Sequence, residues 1–245
     1  MARIKLGILQ VNHDKSKEIG DHFPDDSHRF RDLFDELDTR FSYRVYMTIG
    51  GELPSDIEEQ DAYLITGSPL SVLDDTLTWR DDLFDFIRKC DDARKPLIGA
   101  CFGHQAIAMA LGGSVGTRDG GYNVGIEQVT FADMPEFMVP ATDSLAFYMF
   151  HEDEVVSLPK GCRLVGSSHS CMIASFVKGN HIFAIQSHPE FHDAFMRALL
   201  AYTKTHMPSE IHSAALASLY TPTDGPVFAQ WCDAFIHQAI MRRAS

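Results

Sequence analysis

Apolar positions in the first half of the chain alternate between two periods. Compact apolar runs predict strands at residues 4–11, 43–49, 61–66 and 96–99. Between them, apolar residues three or four positions apart predict amphipathic helices around residues 30–37, 79–87 and 106–111. Strands that alternate with helices in this way predict a mostly parallel central sheet, flanked by helices on both faces.

The second half of the chain has a different pattern. Residues 126–131, 171–177 and 181–186 are typical of strands, and Lys178-Gly179-Asn180 predicts a hairpin between the last two. From about residue 192 the spacing is helical, with breaks near Pro208 and over residues 221–226. We therefore predict an α/β domain over residues 1–205 and a helical C-terminal extension, residues 206–245, packed on the same domain. His206 and His212 in this extension are expected at the surface.

Composition excludes several classes of partner. The chain has 245 residues, is 45% apolar and carries a net charge of −13, so it can form a large core but offers no basic surface for nucleic acid or anionic membranes. No apolar run approaches the roughly 18 residues of a membrane span, and the N-terminal run predicts a strand rather than a signal peptide. Its 5 cysteines are scattered without a CxxC pair, which favours reduced thiols and a cytoplasmic location.

The segment KPLIGACFGHQAIAMAL, residues 95–111, carries the first candidate for chemistry. A predicted strand runs into Cys101 and a helix begins directly after it, which places the sulfur at the carboxyl edge of the sheet. Gly99 and Gly103 allow close backbone packing, and the helix N-terminus favours a thiolate. The N–H of Phe102 is suited to stabilise an oxyanion. The plain alternative is that Cys101 is a small buried hydrophobic residue.

A candidate base lies in IFAIQSHPEF, residues 182–191. Residues two apart on an extended segment face the same way, so Glu190 can orient His188 and stabilise its imidazolium form. Together with Cys101, this pair would suit acyl transfer through a thioester. A metal site formed by His188 and His192 is the alternative, but no third ligand lies at helical spacing and Pro189 fits poorly in a helix. The residues therefore predict no metal and no cofactor.

Three motifs in order, Gly67-Ser68-Pro69, GACFGHQ at 99–105 and QSHPEF at 186–191, resemble those of class I glutamine amidotransferases. The resemblance covers most of residues 1–200. It is strongest to stand-alone members similar to the glutaminase domain of GMP synthase, and plant γ-glutamyl peptidases that process glutathione conjugates also look alike. It implies a flavodoxin-like sheet and attack by Cys101 on the γ-carboxamide of glutamine, with His188 giving the proton to the leaving ammonia.

The resemblance also implies roles for further positions. Gly67 and Phe102 match the family's oxyanion hole, Gln105 a position that helps to hold glutamine, and Phe150-His151 the segment that receives the amino-acid end of the substrate. Two residues depart from the family's pattern and affect the expected shape of the pocket: Ala100 replaces an Ile or Val, and Ser187 replaces an aromatic residue. The role of His104 is expected to be supportive.

Three functions remain open from the sequence. The first is a glutaminase that releases glutamate and ammonia. Because the chain has no Walker loop, any ammonia acceptor would belong to a separate synthase subunit. The second is a γ-glutamyl peptidase with the same three catalytic residues, acting on γ-glutamyl peptides or glutathione conjugates. The third is a non-catalytic thiol sensor, for which the pairing of His188 with Glu190 would have no purpose.

Overall fold

The computed structural model of the chain describes residues 3–243. The strands are β1 Ile4–Leu9, β2 Phe41–Tyr46, β3 Ala62–Ile65, β4 Leu97–Ala100, β5 Ser114–Thr117, β6 Asn123–Phe131, β7 Ser144–His151, β8 Asp153–Ser157, β9 Cys162–Ser167, β10 Ser175–Lys178 and β11 Ile182–Ile185. The helices are α1 Asp26–Asp35, α2 Arg80–Asp92, α3 Phe102–Ala110, α4 Asp193–Thr203, α5 Ser209–Ser218 and α6 Gly225–Arg243.

Nine strands form one sheet in the order β2-β1-β3-β4-β11-β10-β9-β6-β7, and β5 pairs with β8 in a separate ribbon. The strands from β2 to β11 in this order are parallel, and the remaining strands add to β11 in antiparallel fashion. This architecture confirms the predicted flavodoxin-like α/β fold with its parallel core. Within the described residues, no helix has the length and apolar character needed to cross a membrane.

Alternation along the central strands divides the core between the two faces of the sheet. On β4, Ile98 and Ala100 belong to the cluster that contains α1 and α6, whereas Leu97 belongs to the cluster that contains α2 and α3. A strand buried on both faces is apolar throughout, which is why each of these strands is a compact apolar run in the sequence.

The C-terminal helices contribute to this core. Trp231 and Phe235 on α6 are buried against the sheet, while α4 and α5 pack over Tyr148 of β7. His206 is exposed as expected, but the surface prediction for His212 is wrong, because its ring is buried and its Nε2 lies 3.2 Å from the carbonyl oxygen of Leu200. The division near residue 205 between the α/β domain and the C-terminal extension stays a prediction. Residues 1–2 and 244–245, the outer ends of these two predicted segments, lie outside the described residues.

Parallel strands bring the three sequence motifs together. β3, β4 and β11 are neighbours in the sheet, and their carboxyl ends lead directly into Gly67, Cys101 and His188. Segments far apart in sequence therefore meet at one edge of the sheet, where the crevices of open α/β sheets form.

Candidate active site

Cys101 occupies a strained turn between β4 and α3. Its backbone has φ 49° and ψ −105°, outside the regions that side chains with a Cβ prefer, and such a conformation costs about 1–3 kcal/mol. The turn is fixed by a hydrogen bond of 2.9 Å from the Cys101 amide to the carbonyl of Ile185 on β11. The strand–turn–helix geometry predicted from the sequence is therefore present, with the sulfur at the N-terminus of α3.

The glycines on either side of Cys101 are required by close packing. A Cβ on Gly99 would lie 2.6 Å from the carbonyl carbon of Gly103, and one on Gly103 would lie 2.4 Å from the carbonyl oxygen of Ile65. Both distances are far inside van der Waals contact. The tight turn thus depends on small residues at both positions, as the sequence predicted.

His188 and Glu190 form a buried pair beside Cys101. The Nδ1 of His188 lies 2.8 Å from Oε1 of Glu190, and their side chains are 5% and 0% exposed. Burial alone would lower the pKa of His188, but interactions with Cys101 and Glu190 outweigh burial and raise the pKa well above its usual value. Because Nδ1 of His188 interacts with Glu190, Nε2 is the ring nitrogen that is available to interact with Cys101.

Gly67 lies against both of these side chains. A Cβ on Gly67 would be 2.6 Å from Cε1 of His188 and 3.5 Å from Cβ of Cys101. Only a glycine leaves the imidazole its place there, and Gly67 also lies close to the Cβ of Cys101. Phe102 follows Cys101 directly and is the first residue of α3.

The end of β7 closes the site from the antiparallel half of the sheet. The carbonyl oxygen of Phe150 lies 4.0 Å from Sγ of Cys101, and the His188 amide donates a 2.8 Å hydrogen bond to the carbonyl of Tyr148. His151 is buried, and burial lowers its pKa to about 3, so its ring is neutral. Its Nδ1 lies 3.0 Å from the carbonyl oxygen of Asp153, which fixes the chain where β7 leads into β8.

Gln105 and His104 form a buried polar network behind the nucleophile. The side-chain Nε2 of Gln105 donates one hydrogen bond to the carbonyl oxygen of Asp153 at 2.7 Å and another to Oε1 of Gln186 at 3.2 Å. Nδ1 of His104 lies 3.2 Å from the same Gln186 oxygen, and burial lowers the pKa of His104 to about 3. These contacts connect α3 to the end of β11. The role of Gln105 in binding the substrate stays a prediction.

His192 does not pair with His188. Its Nδ1 accepts a hydrogen bond of 3.2 Å from the Phe195 amide and so caps α4. Among residues 3–243, no group of three or more His, Cys, Asp or Glu side chains has the arrangement of a metal site. The two residues that depart from the family's pattern, Ala100 and Ser187, are fully buried and do not line the pocket beside His188.

A pocket opens beside His188, next to Gly67-Ser68-Pro69 and Phe150. Its outer wall comes from the segment between β1 and α1 and from the first residues of α1, including Asn12, Phe23, Asp26 and Arg29. No sequence motif indicates that this segment belongs to the site. Its polar residues follow no strand or helix period, and the burial of Asp26 and Arg29 has no signal in the sequence.

Arg29 is the unusual member of this wall. Its side chain is 5% exposed and pairs with Asp26, and its guanidinium carbon lies 4.0 Å above the ring of Phe195. A second acceptor is the carbonyl of Pro24, while Nε is buried with no hydrogen-bond partner among the described residues. The wall is thus aromatic, with one buried cation that retains a free donor.

The chain is similar in sequence to a known protein family and to several proteins of known name. Residues 36–200 match the model of the family described as glutamine amidotransferase class-I. γ-Glutamyl peptidase 3 of Arabidopsis thaliana is 35% identical over 157 residues, which cover 60% of this chain and 62% of that protein. A glutamine-hydrolyzing subunit of GMP synthase from Sulfurisphaera tokodaii is 31% identical over 141 residues, covering 57% of this chain and 72% of that protein.

The matched region spans 61% to 64% of the length of four Arabidopsis γ-glutamyl peptidases. The fold extends further than these matches. The crystal structure of a glutamine amidotransferase from Thermotoga maritima superposes with a TM-score of 0.75 at 19% identity, covering 98% of this chain and 99% of that one. The sequence relationship and the shared fold agree with the resemblance that the three motifs indicated.

Proposed function

Because the chain belongs to the class I glutamine amidotransferase family, we propose that it hydrolyses the γ-carboxamide of glutamine, or a related γ-glutamyl amide, through a thioester on Cys101. The observation that carries this proposal is the strained Cys101 turn facing the buried pair of His188 and Glu190. The raised pKa of His188 supports an imidazolium that can give a proton to the leaving nitrogen.

In the first half of the reaction, the Cys101 thiolate forms a bond to the γ-carbonyl carbon. The carbonyl oxygen becomes an oxyanion, which the backbone N–H groups of Gly67 and Phe102 are proposed to stabilise. The carbon–nitrogen bond then breaks as the leaving nitrogen takes the proton from Nε2 of His188. Ammonia or an amine departs, and a γ-glutamyl thioester and a neutral imidazole remain.

In the second half, water enters where the amine has left. The neutral His188 takes one proton from the water as its oxygen attacks the thioester carbon. The carbon–sulfur bond breaks, glutamate is released, and the thiolate and imidazolium are restored. Glu190 supports both halves by keeping Nδ1 of His188 protonated and by stabilising the imidazolium. The remaining predicted positions, Gln105, Phe150 and His151, are proposed to hold the γ-glutamyl part of the substrate.

A γ-glutamyl peptide is the second candidate substrate. The pocket is bordered by His188, the proposed proton donor to the leaving group, and ammonia alone would not contact the aromatic side chains there. Residues 12–29 of its wall lie outside the region matched by the family model. Four relatives at 30–35% identity are named γ-glutamyl peptidases, which supports a larger leaving group.

If glutamine is the substrate, a separate synthase subunit is the proposed acceptor of ammonia, as the name of the related GMP synthase protein suggests. We propose a cytoplasmic location. It is supported by the cysteines, all five of which are free thiols in the structure.

The test is release of glutamate from glutamine and from γ-glutamylglycine by the purified chain. Cys101→Ala is expected to reduce hydrolysis at least roughly 1000-fold, because no other group supplies the nucleophile. Cys162→Ala is the matched control, since burial raises the pKa of this thiol to about 11 and it lies on β9, away from the site.

The outcome also separates the candidates. Hydrolysis of γ-glutamylglycine without hydrolysis of glutamine would favour the peptidase, and the reverse would favour the glutaminase. Wild-type rates in Cys101→Ala would contradict the proposal. A chain that hydrolyses neither substrate nor any γ-glutamyl amide would leave the thiol sensor as the better explanation.

A further inference from the structure

The ring of Phe191 lies flat against the imidazole of His188. Their centroids are 4.0 Å apart and the two planes differ by 16°. The geometry points to Phe191 as a positioning residue that holds the plane of the His188 imidazole during proton transfer. This inference rests on the proposed function of His188 as the proton donor. Phe191 itself touches no reacting atom in that scheme and acts through the histidine.

The hydrogen bond to Glu190 does not hold the imidazole by itself. It restrains the position of Nδ1, at 2.8 Å, but a single hydrogen bond restrains the tilt of the ring plane less strongly. A change of tilt through the side-chain torsions would displace Nε2 relative to Cys101. A flat aromatic face at 4.0 Å opposes this change, because tilting the imidazole would drive its edge into the Phe191 ring.

Phe191 is in turn held by a second layer. The ring of Phe195 meets it edge to face, with centroids 4.6 Å apart and an interplanar angle of 71°. The guanidinium carbon of Arg29 lies 4.0 Å from the Phe195 ring and 5.4 Å from the Phe191 ring. Arg29 is fixed by its ion pair with Asp26, so the stack extends from the wall of the pocket to His188.

The Phe191 ring also affects the balance between the imidazolium and the neutral form of His188. An aromatic face favours a cation above it, so the Phe191 ring stabilises the imidazolium over the neutral imidazole. The other groups that act on the His188 charge are the Cys101 sulfur, the Glu190 carboxylate and the neutral His151 ring. Arg29 faces the stack from the far side, and its charge is compensated by Asp26.

The experiment compares Phe191→Leu, which keeps the apolar character but removes the flat face, with Phe191→Tyr, which retains the ring. Phe191→Leu is expected to lower kcat about tenfold and to change KM less than about threefold, on glutamine or γ-glutamylglycine, whichever the wild type hydrolyses. The alkaline midpoint of the rate profile should move down by roughly half a pH unit, because the imidazolium loses its proton more readily. Phe191→Tyr should restore both values.

Phe41→Leu is the matched control, because the Phe41 ring on β2 also stacks on an aromatic ring, that of Tyr43, and lies outside the pocket beside His188. Its alkaline midpoint should equal that of the wild type. An NMR titration of the His188 ring in wild type and Phe191→Leu gives the same comparison without turnover.

The inference is overturned if Phe191→Leu keeps the wild-type kcat and the wild-type His188 titration, or if Phe191→Tyr is as impaired as Phe191→Leu. Either result leaves the proposed function untouched if hydrolysis still depends on Cys101. Loss of that dependence would instead overturn the proposed function, while the titration would still decide whether the ring acts on His188.

Discussion

The two ends of β11 each carry a histidine beside a carboxylate, and the pKa values of the two histidines are shifted in opposite directions. At the amino end, Nε2 of His181 lies 2.8 Å from Oδ1 of Asp91, and at the carboxyl end Nδ1 of His188 lies 2.8 Å from Oε1 of Glu190. Both histidines are buried. Burial lowers the pKa of His181 below its usual value in spite of Asp91, whereas the pKa of His188 is raised.

The difference comes from the other charges around each pair. Asp91 also forms an ion pair with Lys178, and the positive charges of Arg94 and Lys178 further oppose protonation of His181. His188 faces a carboxylate on one side and the Cys101 sulfur on the other. The pKa of His188 is therefore raised by two interactions, with Glu190 and with Cys101, whereas the interaction of His181 with Asp91 is opposed by two nearby positive charges as well as by burial.

The largest difference between the two pairs is expected when each histidine is replaced in turn. His188→Ala is expected to reduce hydrolysis about 1000-fold or more, because it removes both the proton donor and the partner of the thiolate. His181→Ala should leave the rate within about twofold and lower the free energy of unfolding by about 1–3 kcal/mol, through the loss of a buried hydrogen bond. Glutamate release and urea denaturation measure the two effects. Comparable losses of hydrolysis rate in both variants would contradict the assignment of His188 as proton donor and His181 as a structural residue.

Replacing the carboxylates should have a smaller effect. Glu190→Gln is expected to lower kcat roughly tenfold to a hundredfold, less than His188→Ala, since Nε2 stays in place. Because Glu190 raises the pKa of His188, its loss lowers that pKa, and the alkaline limb of the rate profile moves to lower pH. Asp91→Asn is the control at the other end of β11 and should leave the profile unchanged. A larger loss for Glu190→Gln than for His188→Ala would contradict the assigned roles.

The smallest effect is expected from Lys178→Met. Lys178 pairs with Asp91 and its charge lowers the pKa of His181, so its removal should raise that pKa by roughly half a unit. NMR titration of the His181 ring measures the shift, and the His188 titration in the same spectra serves as the internal control. An unchanged or lower pKa of His181 would contradict the effect assigned to Lys178.

The nucleophile and the base could be predicted because each depends on a short local motif. Gly99, Cys101 and Gly103 define a turn whose packing requires small residues, and His188 and Glu190 are two positions apart on one extended segment. The parallel pairing of β3 with β4 follows from the alternation of strands and helices in the first half of the chain, whereas the place of β11 beside β4 is a finding of the structure. Local pattern and topology together bring these motifs to one edge of the sheet.

The rest of the site depends on contacts between distant segments. β7 contributes Phe150 to the site, yet its apolar run does not alternate and was not predicted as a strand, and neither were the short, partly exposed strands of the ribbon, β5 and β8. Buried polar residues on α1 follow no amphipathic pattern, so the position of Arg29 above Phe195 could not be predicted.

Mass spectrometry of the protein, quenched in acid during turnover of a γ-glutamyl substrate, tests the thioester mechanism most directly. We expect the peptide that contains Cys101 to gain the mass of one γ-glutamyl group, and to lose it once the substrate is exhausted. The control variant Cys101→Ala should show no such gain. Hydrolysis that proceeds with the γ-glutamyl group on another residue, or that continues at the wild-type rate in Cys101→Ala, would contradict the mechanism.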